Sequence, residues 1–123
     1  MMIYDNIQFP DRTILEVTFL NKSDFYDISM QNRNYTIIGG DKNISTNLVG
    51  IADDNKVYYI TTDDGELCYI SPDIETFTKQ LFLFEEYTDI EDFRRKILEL
   101  DKNALNSKTF WSEVYEEMEY SVI

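Results

Sequence analysis

Up to Ile70 the apolar positions alternate with polar ones, and beyond Ile70 they recur at helical spacing. In Thr13–Leu20, Leu15, Val17 and Phe19 alternate with Ile14, Glu16 and Thr18, which predicts a strand or strand-like edge, with a short helix as the alternative. Asn21–Asn34 is polar with scattered aromatics and reads as a loop with one helical turn. Strands are then expected at Tyr35–Gly40, Asn47–Asp53, Lys56–Thr62 and Glu66–Ile70. The third of these is rich in β-branched and aromatic side chains. The links between them are short and made of Asp, Asn, Ser and Gly, and Asp64-Gly65 is a hairpin signal. Links this short make neighbouring strands antiparallel, as a meander.

Ser71, Pro72 and Asp73 then carry helix-start chemistry. Phe77, Leu81 and Phe84 follow at intervals of four and three, on one helical face, and Phe82 and Leu83 widen it. A second helix is expected over Asp89–Asn103. Asp89 is its N-cap, Asp92 lies in its first turn, and Phe93, Ile97 and Leu100 form its buried stripe. A third is expected over Ser107–Ile123, with Trp111, Val114, Tyr115, Met118 and Val122 on the buried face. Glu113, Glu116, Glu117 and Tyr120 lie on the opposite face. Strands first and helices second predict an α+β fold, an antiparallel sheet of about four to six strands with helices packed on it. Residues 1–123 are expected to form one domain.

Charge changes the picture most. The chain has 24 acidic and 11 basic residues, a net charge of −13. Most of that excess lies after Thr62. Such a field repels nucleic acid and anionic membrane and attracts basic proteins. The sequence has no histidine and one cysteine, Cys68. Histidine-based triads, Cys-His pairs and His-containing zinc sites are therefore excluded. A lone cysteine fits a reducing compartment. Met1–Pro10 lacks the basic and apolar segments of a signal peptide, and no apolar run approaches the ~20 residues of a membrane span. A cytoplasmic protein is expected, without membrane contact.

The stretch Tyr35–Asn43, YTIIGGDKN, is the first place to look for a ligand loop. It lacks the second glycine and Ser/Thr of a phosphate loop, and the helix that a dinucleotide fingerprint opens. A twelve-residue calcium loop begun at Asp41 would end in Ala52 instead of Glu. It reads as a strand end where the glycines admit a close backbone or positive φ. Asp53-Asp54 and Asp63-Asp64 are adjacent carboxylates, yet turn formation accounts for both. A metal-dependent hydrolase using Asp41, Asp53, Asp54 and Asp63 is the weaker alternative. No cofactor is expected. The candidate partner surface is acidic: Glu85, Glu86, Asp89, Glu91 and Asp92 around the first two helices, and Glu113, Glu116, Glu117 and Tyr120 on the third.

The order of landmarks resembles the SUKH superfamily of bacterial immunity proteins, most closely its fourth subgroup. YTIIGGDKN is similar to that family's strand ending in Ile-Gly and an acid. LVGIADDNKVYYI resembles its hairpin, with Asn55-Lys56 where a glycine turn is usual. YISPDIETFTKQLFLFEEY resembles its helix start, with Ser71, Pro72 and Asp73 in place of Asn-Ser-Ser, and Phe77 matching. ALNSKTFWSEVYEEM is similar to its final tryptophan helix, with Trp111 matching. The resemblance spans residues 35–122. It implies a non-enzymatic antitoxin that binds a cognate toxin domain, often a nuclease or deaminase. An acidic adaptor or DNA-mimic inhibitor of an endogenous nucleic-acid-binding protein is the alternative on the same fold.

Overall fold

The computed structural model describes residues 6–121. Val122, assigned above to a buried face, and residues 1–5 lie outside the described residues. Six strands form one antiparallel sheet: β1 (Val17–Phe19), β2 (Tyr26–Met30), β3 (Arg33–Asp41), β4 (Asn47–Ala52), β5 (Val57–Thr61) and β6 (Glu66–Ser71). Three helices follow: α1 (Ile74–Glu86), α2 (Ile90–Leu100) and α3 (Phe110–Ser121). This is the α+β architecture expected from the change of period. β3 to β6 make the meander. The far side of the long β3 carries two short strands end to end, β1 against Gly39–Asp41 and β2 against Arg33–Ile37.

Two segments depart from the expectation. Asn21–Asn34 is not a loop, because β2 occupies its second half after a single 3-10 turn at Lys22–Asp24. Tyr26, Ile28 and Met30 do alternate with Asp27 and Ser29. The hairpin signal is hidden because the turn residues are Gln31 and Asn32, both at positive φ without a glycine. Thr13–Leu20 is not one strand. Leu15 and Glu16 also take positive φ, and Ile14 and Val17 exchange backbone hydrogen bonds of 3.1 and 2.9 Å across them. That reversal sends Ile14 and Val17 into the core together.

The helices begin on side-chain caps. Asp73 accepts from the Thr76 amide (2.7 Å), Asp89 from the Glu91 amide (3.4 Å) and Thr109 Oγ1 from the Ser112 amide (3.1 Å). Helices and sheet meet in one apolar cluster containing Val17, Ile38, Val49, Phe77, Leu81, Phe93, Ile97, Trp111 and Met118. Phe84, Leu100 and Tyr115, expected on buried faces, are only partly buried. Trp111 Nε1 donates to Gln80 Oε1 at 2.8 Å inside it, so the buried indole is satisfied. The other face of the sheet carries a smaller cluster of Tyr35, Ile37, Ala52 and Ile60, flanked by strand residues and Leu20, with no helical residue. The α2–α3 connection runs along the β6 edge: Tyr69 Oη donates to Asp101 (2.8 Å), and Cys68 Sγ donates to the Lys108 carbonyl (3.4 Å).

Candidate binding cleft

Where α3 crosses the ends of β5 and β6, it leaves a cleft of about 550 Å³. Strand alternation builds its floor. Tyr59 on β5 and Cys68 on β6 point to the helical side, and Tyr59 stacks on Phe110 of α3 with ring centroids 6.0 Å apart. Leu15 and Val114 complete the apolar part. The rim is acidic. Glu66 comes from β6, Glu113 and Glu117 from successive turns of α3, Asp41 from the end of β3, and Glu16 from the tight turn before β1. No lysine or arginine lines the cleft among the described residues.

None of these five carboxylates enters an ion pair among the described residues. Asp41 accepts from the Asn43 and Ile44 amides (2.7 and 3.1 Å) and from Tyr59 Oη (3.2 Å). Glu16 accepts from Asn43 Nδ2 at 2.7 Å. These bonds orient the two carboxylates and leave their charge unneutralised. Burial raises the Cys68 thiol to about 11, with Glu113 adding to the rise. Burial also raises the Tyr59 phenol, and Asp41 adds to that. Both groups are neutral near pH 7, so the cleft is an anionic rim over an uncharged, half-apolar floor. Such a site takes a cation carried on an apolar stem, as lysine and arginine are.

The acids named from sequence separate into two kinds. Glu113 and Glu117 line the cleft, and Glu116 and Tyr120 lie exposed on the same helix, Tyr120 at 74 %. Around the first two helices two of the five acids are compensated. Glu85 is held by Arg12, and Asp92 by Lys96 (3.0 Å) and Arg95 (2.5 Å). These partners hold both carboxyls below their usual range. Asp89 is occupied as the α2 cap, Glu91 is exposed, and Glu86 borders a separate groove between α1 and α2. The four aspartates of the hydrolase alternative do not converge. Asp53 and Asp54 pair with Arg33, Asp63 lies in the β5–β6 loop, and Asp41 is in the cleft. Among the described residues no three Asp, Glu or Cys side chains are placed to hold a metal ion.

No family model, curated protein or solved structure matches the chain. No described helix is long and apolar enough to cross a membrane.

Sequence reasoning missed Glu66 and Glu16 as site residues. Glu66 was within reach, because a strand that buries Ile70 puts Cys68 and Glu66 on the same face by its period of two. Glu16 was not, because only the tight turn at Leu15-Glu16 and the pairing of Val17 with Asp41 bring it to the cleft.

Proposed function

We propose that this chain is a non-enzymatic immunity protein of the SUKH type, acting in the cytoplasm. It binds and neutralises a basic toxin domain, a nuclease or deaminase in class. The observation that carries this reading is the cleft, in which five carboxylates without counter-charges among the described residues surround an uncharged, half-apolar floor. A nucleic-acid-cutting domain presents lysines and arginines where substrate phosphates bind. Those side chains fit the cleft, with stems on Tyr59, Phe110 and Val114 and charges at the rim. Occupying them blocks the toxin's substrate surface, and the net −13 steers the encounter.

The test is a titration against the toxin domain encoded beside this gene, at two salt concentrations. Wild-type binding weakens as salt rises. Neutralising the cleft as Glu66→Gln, Glu113→Gln and Glu117→Gln together lowers the association rate by about tenfold or more at low salt. The Asp92→Asn variant changes it little, because that charge is already compensated. Equal effects of the two sets would remove the cleft from the proposal. No binding to a folded, active toxin domain would remove the function for that pair.

A further inference from the structure

The sheet has one protected edge and one open edge. β6 is flanked by the Asp101–Thr109 connection through the Tyr69 and Cys68 bonds. β2 pairs with β3 alone. Met30 and Arg33 flank the two-residue turn, so they form a hydrogen-bonded pair. Such pairs alternate with non-bonded ones, so Ile28–Tyr35 and Tyr26–Ile37 are bonded too. The amides and carbonyls of Asp27 and Ser29 therefore point away from β3. Among the described residues no other backbone group takes them up. Natural edge strands are blunted by proline, lysine, a bulge or a covering segment. The stretch Tyr26–Met30 contains neither residue, its one charge is Asp27, whose carboxylate accepts from Thr36 Oγ1 of β3 (2.9 Å), and its register with β3 is unbroken.

We propose that the β2 edge is a self-association surface on which a second copy of this chain adds its own β2, antiparallel, about a two-fold axis at Ile28. The sequence fits this register, in which position 26 meets 30, 27 meets 29 and 28 meets itself. Asp27 exchanges its amide and carbonyl bonds with Ser29 of the second copy, and Ser29 with Asp27 of the second copy, which gives four backbone hydrogen bonds. On one face Ile28 meets its equivalent while Tyr26 meets Met30. Those side chains are partly or largely exposed, Tyr26 at 46 %, and pairing extends the apolar face of the sheet across both copies. On the other face each Asp27 carboxylate stands opposite a serine hydroxyl, not opposite another carboxylate. One-residue slips lose this arrangement. The acidic cleft lies on the helical side, near β5 and β6, and is left open by this pairing.

The inference is independent of the toxin-neutralising reading and is tested on the full chain alone. Sedimentation equilibrium over a concentration series is expected to show a monomer–dimer equilibrium that tightens as salt rises, because two copies at −13 repel. Partner binding through the cleft weakens with salt, so the two readings fail separately. Ser29→Asp sets two like-charged pairs across the axis and weakens the dimer roughly two- to thirtyfold, and Ser29→Lys tightens it by a similar factor. Ser29→Pro removes an outward amide together with the hydroxyl bond that Ser29 donates to Asn34 (2.6 Å), and abolishes the dimer. Ser29→Ala loses the same hydroxyl bond, keeps the amide and still dimerises, with a thermal unfolding midpoint at low concentration like that of Ser29→Pro. A monomer at every concentration and salt overturns the proposal. So does a dimer that Ser29→Pro leaves intact, or one that Ser29→Asp and Ser29→Lys shift in the same direction.

Discussion

An alanine at Gly39 would set its Cβ 2.5 Å from the Thr18 carbonyl oxygen and 3.1 Å from Phe19 Cα. Both are backbone atoms, so β1 has to move. Gly39→Ala is expected to cost about 1–3 kcal/mol in a denaturant titration. The sequence showed that the glycines end an apolar run. It could not show that β1 is the strand that needs the room, because the pairing partner is fixed only in three dimensions. Cys68 reads as a buried thiol from its place in an alternating strand, but it is only partly buried, because its face of β6 opens into the cleft. Its half-maximal alkylation is expected near pH 11, against 9.0 for a free thiol, and is measured by iodoacetamide trapping across pH. Gln80 was not legible. A polar residue inside a helix reads as exposed, but this one is fully buried and accepts the Trp111 indole. Gln80→Met leaves that N–H unpaired but also removes the Gln80 Nε2 donor, which is buried without a partner among the described residues, so the loss of stability is expected to be small, about 1 kcal/mol.

At the level of elements, the three helices were readable because each has an apolar stripe and the first two also show their caps, whereas the Thr109 cap of α3 and its start at Phe110 came from the structure. Strands β3 to β6 were readable because their turns contain Asp, Asn and Gly. β2 was hidden by its turn. Gln31 at φ 54° and Asn32 at φ 64° sit where Asn-Gly is preferred, and a non-glycine residue is strained there. The change Asn32→Gly, which keeps the bond that Gln31 Nε2 donates to the Gly65 carbonyl (2.6 Å), is expected to raise stability by up to about 1 kcal/mol, read from the urea midpoint at unchanged slope. The cleft divides in the same way. Its α3 half follows from helical periodicity. Its sheet half depends on a register that pattern alone does not give.

Over the whole molecule the excess of acid sets the response to solvent. Like charges at −13 repel in the folded state, so added salt is expected to raise the thermal midpoint of the monomer. Acid acts through the compensated carboxylates. Arg12 holds Glu85 below its ordinary 4.5, so the stability from that pair is present above that value and is lost as pH falls further. Wild type is expected to exceed Arg12→Met in stability at pH 7, and the difference should close on acidification below about pH 4.

Trp111 is the single tryptophan, fully buried in α3 among Phe84, Phe93 and Phe110. Its emission therefore reports the docking of the last described helix and is silent on the pairing of strands. Far-ultraviolet dichroism sees the sheet and all helices at once. In a stopped-flow refolding experiment, coincident traces would mean that the meander and its helical cover form in one barrier crossing. A dichroism signal that runs ahead of the fluorescence would mean that backbone structure forms before the last described helix seats its indole in the core.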